Sequence, residues 1–281
     1  MLGRRLAEQV KDRGYRVVTC GRSPESDIVI DLASGENLYL VSAVEADVLF
    51  HCAAAFGGDD YQSAKLNEKV NATACLDIAR LAELCGCRQV IYAGSIFCDL
   101  APSEVNLTSY GASKLRGEEI LEWALARTNI SFCSLKLPQL YDEYGQSFRH
   151  QPWFRRIVAY ANAGKDLQLP PSPYDQNFLH VVDAATLMVE AAEVGLTGVW
   201  PATHPVSMTY KSMADLAYQV FGRGGEVNVD DKKTPFKEIV IADSTELFER
   251  LGRLPELSIE EGLQRLKSSC EAKEYGELDV Q

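Results

Sequence analysis

Gln89-Val-Ile-Tyr-Ala-Gly-Ser95 is the run on which the fold turns. Gln89–Ala93 reads as a strand whose apolar residues follow one another without polar alternation. Such a strand is covered on both faces, as in a parallel sheet. The cover is legible on either side. Residues 62–86 carry Leu66, Val70, Ala74, Ile78 and Leu81 as one helical stripe, and a second helix runs from Tyr110 to about Arg127. Farther out, Asp47-Val-Leu-Phe-His-Cys52 and Ile130-Ser-Phe-Cys-Ser-Leu135 are two more apolar strands. Strands alternating with helices predict an α/β fold with a doubly wound parallel sheet.

The same alternation reaches the N-terminus. Leu2, Leu6 and Val10 predict a helix over 2–13, ended by Gly14. Arg16–Cys20 and Asp27–Ile30 read as short strands, with a helix from the late thirties to Glu45. After Pro138 the pattern changes. Residues 141–175 mix aromatics, Gly, Pro and Arg, with a helix near 152–163. Phe178–Val182 is a short strand leading into a helix through Glu193, and a further helix spans 207–221. The tail, 244–267, is a helix pair broken by Pro255. The expected division is a sheet domain over 1–140, to which 178–193 returns, and a smaller lobe made mostly of 141–281.

Composition narrows the function. The 281 residues are 46% apolar and 24% charged, which suits a packed core. The net charge of −12 repels phosphate backbones, so no nucleic-acid partner is expected. No apolar run is long enough to cross a membrane, and no secretory leader is visible. Eight cysteines are scattered, several inside apolar strands, without a disulfide framework. Cys85-Gly-Cys87 is the one close pair, too little for a zinc site, and no metal is expected. These features read as a reduced, cytoplasmic protein.

Three residues carry the candidate chemistry. Ser95 follows the fourth strand, and ligands of parallel sheets bind beyond the carboxyl ends of strands. Tyr110 and Lys114, four apart at a helix start, share one face. A phenol titrates near ~10, and a nearby cation favours its phenolate. Such a phenol can pass a proton to or from a carbonyl or alcohol oxygen while a serine hydroxyl orients that oxygen. The spacing alone is weak evidence, because with 12 tyrosines chance supplies about half such a pair. A second one, Tyr61 and Lys65, follows Gly57-Gly-Asp-Asp60 and has no strand-end serine before it. It is expected to be an exposed helix start.

Six segments in order resemble the extended short-chain dehydrogenases/reductases, the NAD(P)-dependent epimerase/dehydratase family. They are His51-Cys-Ala-Ala-Ala55, Asn71, Ile91-Tyr-Ala-Gly-Ser95, Tyr110-Gly-Ala-Ser-Lys114, Leu135-Lys-Leu-Pro-Gln-Leu-Tyr141 and Asn177-Phe-Leu-His-Val-Val-Asp183. Ala74-Cys75 stand where the family's Asn-x-x-Gly-Thr pattern has Gly-Thr. The resemblance implies a Rossmann-type domain in which Ser95 orients substrate, Tyr110 is the acid/base, and Lys114 lowers its pKa and binds the nicotinamide ribose. It also implies cofactor contacts at Gly3, Ala53, Ala54, Asn71 and Pro138. Gly3 matches the last glycine of the family's Gly-x-x-Gly-x-x-Gly turn. The strand and the two glycines before it are absent, so the sheet is expected to lack its central strand. The expectation is a shortened version of a longer protein, or a short form serving as an inactive partner subunit.

Cys20-Gly21-Arg22 stands where an acidic residue would grip the ribose of NAD, which leans toward NADP over NAD, although Arg22 reads equally as a solvated loop cation. Asp31 and Leu32 are placed by the adenine, or Asp31 caps a helix. The resemblance implies a sugar or nucleotide-sugar substrate and allows a homodimer. Gln176 replaces an arginine that many relatives use for the diphosphate, and Asp142-Glu-Tyr-Gly145 replaces Gly-Pro-Gly. Arg149, Arg155 and Arg156 could grip phosphate or lie on the surface. Ile96-Phe97 replaces the acidic pair of sugar 4,6-dehydratases, which argues against that reaction. The stretch between Ser95 and Tyr110 is expected to be a trimmed loop. His180 is expected to fix the returning strand, and His51 to lie under the cofactor without a catalytic role. The reading is a reductase or epimerase of a sugar or nucleotide sugar; the alternatives are a non-catalytic homologue and a reductase of a non-sugar aldehyde or ketone.

Overall fold

The computed structural model describes residues 1–99, 106–270 and 272–278, and the expected loop trimming lies partly outside them, at 100–105. Helix α1 (Leu2–Asp12) is followed by β1 (Cys20–Gly21), β2 (Ile28–Val29) and α2 (Leu38–Val41). Then come β3 (Val48–His51), α3 (Tyr61–Asn67), a π turn (Glu68–Thr73) and α4 (Ala74–Leu84). Strand β4 (Gln89–Ser95) leads through a 3-10 turn, Ile96–Cys98, toward α5 (Ser109–Leu125) and β5 (Ser131–Leu137).

Strand β4 lies between β3 and β5, and β9 (Gly198–Pro201) joins beyond β5, all in parallel. Every residue of β4 is buried, as its unalternated apolar run requires. Strands β1 and β2 form a separate parallel pair, and among the described residues β1 and β3 each have one unpaired edge. The expected strand over Arg16–Cys20 is reduced to its end, where Thr19 and Asp27 bond each other's backbone through their side chains. The helix expected over 62–86 forms, but is wound as π through its middle.

The remaining elements are β6 (Gln139–Tyr141), paired with β8 (Phe178–His180), α6 (Pro152–Ala163), β7 (Leu167–Leu169), α7 (Val181–Glu193), α8 (Tyr210–Phe221), β10 (Val227–Val229), α9 (Thr245–Leu251) and α10 (Ile259–Ser269). Helix α7 starts inside the segment read as strand, because His180 Nδ1 accepts the Val182 N–H at 3.3 Å and caps it.

Three apolar clusters hold the layers. Leu6 of α1 packs with Ile91, Leu135 and Met188 on one face of the sheet, and Ile78 and Leu121 pack with Tyr92 on the other. A third cluster, with Phe154, Ile157, Met213 and Leu263, fills the C-terminal part. No described helix is long and apolar enough to cross a membrane.

Candidate active site

The end of β4 delivers Ser95, 3% exposed, into a turn whose Phe97 N–H bonds its hydroxyl at 3.3 Å. Helix α5 begins at a Thr108 cap and brings Tyr110 and Lys114 to the same place. Gly111 lets the two elements touch, since a Cβ there would fall 2.2 Å from the Phe97 carbonyl oxygen. Farther along α5, a Cβ on Gly117 would lie 1.9 Å from the Asn71 carbonyl oxygen in the π turn. Two glycines on α5 therefore set its depth against two walls of the site.

The Ser95 hydroxyl lies by the Tyr110 phenol and favours its ionised form, and Lys114 follows one turn along α5. Lys114 is 3% exposed, and its ammonium sits 3.9 Å from the centre of the Tyr92 ring. Burial pushes its pKa down to about 8, while neighbouring thiols and Glu118 pull it back up. The phenol differs from the sequence expectation. Burial raises its pKa, and the Ser95 hydrogen bond only partly opposes this.

The walls are equally specific. Asn71 Oδ1 accepts the Ala55 N–H at 2.7 Å, and its amide donates to Ala55 O and to Ser113 Oγ. It thus ties the loop after β3 to α5. His51 is 3% exposed, and burial beside Lys114 lowers its pKa to about 3, so it stays neutral. Pro138 is buried at the end of β5. Ala53 and Ala54 lie in the loop after β3, Ala53 exposed. Gly3 is in the first turn of α1, with room for a Cβ at 3.6 Å from Cys52.

The other residues singled out in the sequence are placed as follows. Arg22 is exposed beyond β1. Asp31 closes a turn by accepting the Ala33 N–H at 2.9 Å and caps no helix, while Leu32 packs on the α4 face. Tyr61 is 74% exposed, and Lys65 is exposed beside it. Gln176 is buried and bonded to Gln139 and to Lys237 O. Arg155 bonds the carbonyls of Tyr275 and Glu277, and Arg156 lies over Trp153 and Tyr160. A cavity of about 840 Å³ lies away from Ser95, lined by Thr203, Ser244, Phe248 and Arg253 among others.

Sequence reasoning missed Phe56. Its ring stacks on Tyr110 at 4.9 Å and on His150 at 4.3 Å, linking the loop after β3 to the C-terminal part across the phenol.

The family model for the NAD dependent epimerase/dehydratase family matches residues 1–199. The chain belongs to this family. Solved structures agree on the fold. UDP-N-acetylglucosamine 4-epimerase from Bacillus cereus superposes with a TM-score of 0.77 at 19% identity, over 100% of this chain and 95% of that one. UDP-glucose 4-epimerase from Thermotoga maritima, solved with UDP-glucose, gives 0.77 at 18%, over 96% and 95%. UDP-glucose 4-epimerase from Thermus thermophilus, solved with NAD, gives 0.75 at 16%, over 96% and 95%. No curated protein sequence matches. The family's cofactor fits the site on one observation: among the described residues the buried Lys114 ammonium enters no ion pair, which leaves its donors free for ribose hydroxyls.

Proposed function

We propose that this chain is an NAD(P)-dependent epimerase or oxidoreductase acting at a carbonyl or alcohol carbon of a sugar or nucleotide sugar. The observation that carries the reading is the Ser95 hydroxyl beside the Tyr110 phenol, with the buried Lys114 one helical turn beyond Tyr110 on α5. Gly3, Ala53, Ala54, Asn71, Lys114 and Pro138 would hold the cofactor, which when bound supplies a hydride acceptor and a positive ring. Tyr110 holds the proton that passes to or from the substrate oxygen. Ser95 orients that oxygen, and Lys114 holds the ribose. Residues 1–140 with 178–193 carry the cofactor, and most of 141–281 the substrate. Arg22 favours the extra phosphate of NADP. The protein works in the cytoplasm, as a monomer or a homodimer.

A screen of UDP-sugars with NAD and NADP, followed by NAD(P)H absorbance and product analysis, tests this. Tyr110→Phe is expected to lower kcat on the order of 10³-fold while cofactor affinity stays within about twofold. A fully active variant would remove Tyr110 from its role. One observation favours a second, non-catalytic reading: β1 and β3, which lead to the proposed cofactor residues Arg22 and Ala53, each have one unpaired edge among the described residues. Titration of the protein with NADPH and NADH decides between the two, since an inactive partner subunit binds them weakly or not at all.

A further inference from the structure

Ser95 and Tyr110 sit on different elements, and the chain between them does not set their distance. Something must hold the 3-10 turn after Ser95 against α5. Lys136 is placed to do this. It lies on β5 directly beside Gly94, one residue before Ser95. Its ammonium is 2.5 Å from Asp99 Oδ1 and 3.7 Å from Glu118 Oε1.

Each carboxylate belongs to one half of the site. Asp99 ends the turn that Ser95 begins, and within that turn Cys98 Sγ donates to the Ser95 carbonyl at 2.7 Å. Glu118 lies four residues beyond Lys114 and eight beyond Tyr110, on their face of α5. Its carboxylate takes a short hydrogen bond from Ser134 Oγ. Gly94 keeps room for that pair, because a Cβ there would lie 2.6 Å from Ser134 Oγ and 3.1 Å from Glu118 Oε2. Side-chain exposures of 17% for Lys136, 18% for Asp99 and 7% for Glu118 make this a partly desolvated bridge, stronger than an exposed ion pair. Burial opposes the Lys136 charge, but the Asp99 hydrogen bond and the surrounding acidic groups hold its pKa above the ordinary value. The Glu118 carboxyl is raised by burial, against Ser134, Lys136 and Lys114, with Asp99 adding to the rise.

We infer that Lys136 is a positioning residue, an ionic bridge from Asp99 to Glu118 that sets the Ser95 hydroxyl against the Tyr110 phenol. The inference rests on the catalytic reading above. It is tested on the full chain with Lys136→Met and Lys136→Arg. In Lys136→Met, kcat falls about tenfold or more and NADH affinity stays within about twofold. The substrate KM stays within about twofold, so the loss falls on kcat alone, as expected when the acid/base pair is misaligned and binding is kept. Lys136→Arg, which keeps a cation able to reach both carboxylates, stays within about threefold of the parent in both constants. If Lys136→Met fails to fold, Asp99→Asn is read by the same split between kcat and KM. A loss carried by KM with kcat unchanged, or equal losses in the Met and Arg variants, overturns the positioning role while leaving the catalytic reading intact. A parent protein that turns over no nucleotide sugar overturns both.

Discussion

Two Tyr-x-x-x-Lys pairs open helices in this chain, and they share nothing but the spacing. At the start of α3, Tyr61 is 74% exposed and Lys65 is exposed beside it. At the start of α5, Lys114 is 3% exposed and Tyr110 lies between Phe56 and the Ser95 turn. The helix geometry is the same, so the difference comes from what each helix is pressed against. Asp60 caps α3 toward solvent through the Gln62 and Ser63 amides. Gly111 and Gly117 let α5 abut the backbone of two other elements. Water screens the first pair, whereas exclusion of water moves the Lys114 pKa to about 8.

The comparison breaks most directly at the lysines. Lys114→Met is expected to lower kcat on the order of 10²-fold, whereas Lys65→Met leaves it unchanged. The pH dependence sharpens the contrast. A pKa lowered to about 8 means that the Lys114 ammonium is present below that value and lost as pH rises through it. Activity that needs the cation therefore falls on the alkaline side with a midpoint near 8, and kcat profiles from pH 6 to 10 read it. A profile still rising at pH 9 would separate the lysine charge from turnover.

Gly111→Ala tests the wall itself. Alanine in a helix interior is ordinarily preferred over glycine by about 1 kcal/mol. Here its Cβ would meet the Phe97 carbonyl oxygen at 2.2 Å, so either α5 or the Ser95 turn must shift. The expected net effect is a loss of about 1–3 kcal/mol, read by urea denaturation. Turnover falls with it, since Tyr110 is the adjacent residue. Unchanged stability would mean that the two elements are not in contact.

How much of this was legible follows from how local each signal is. Strand β4 and helix α5 are written in runs of adjacent or periodic residues, and Ser95, Tyr110 and Lys114 sit at their ends, so sequence alone brought them together. The π turn over Glu68–Thr73 has no such mark, because its residues fit an ordinary helix equally well. Phe56 was invisible for a different reason. An aromatic residue before two glycines carries no pattern, and its partners Tyr110 and His150 are 54 and 94 residues away. Lys136, Asp99 and Glu118 come from three elements, and each alone reads as an ordinary surface charge. The rise of the Tyr110 pKa was not legible because it comes from burial of the phenol, to which residues far away in sequence such as Phe56 contribute.

The smallest effect is expected where the motif is identical and the surroundings are not. In a Tyr61→Phe, Lys65→Met double variant the altered groups face solvent, and neither side chain makes a hydrogen bond or ion pair among the described residues. Substitutions of that kind stay within about 0.5 kcal/mol in stability. The Asp60 cap, whose carboxylate takes the Gln62 and Ser63 amides, is untouched, so α3 keeps its start. Asn67, buried one turn later and bonded to Gly57 and Ser109, keeps α3 docked beside α5. Urea midpoints and kcat equal to the parent's are therefore expected. A loss of turnover without a loss of stability would mean that the exposed pair reaches a substrate or a neighbouring molecule, and burial would no longer be what separates the two motifs.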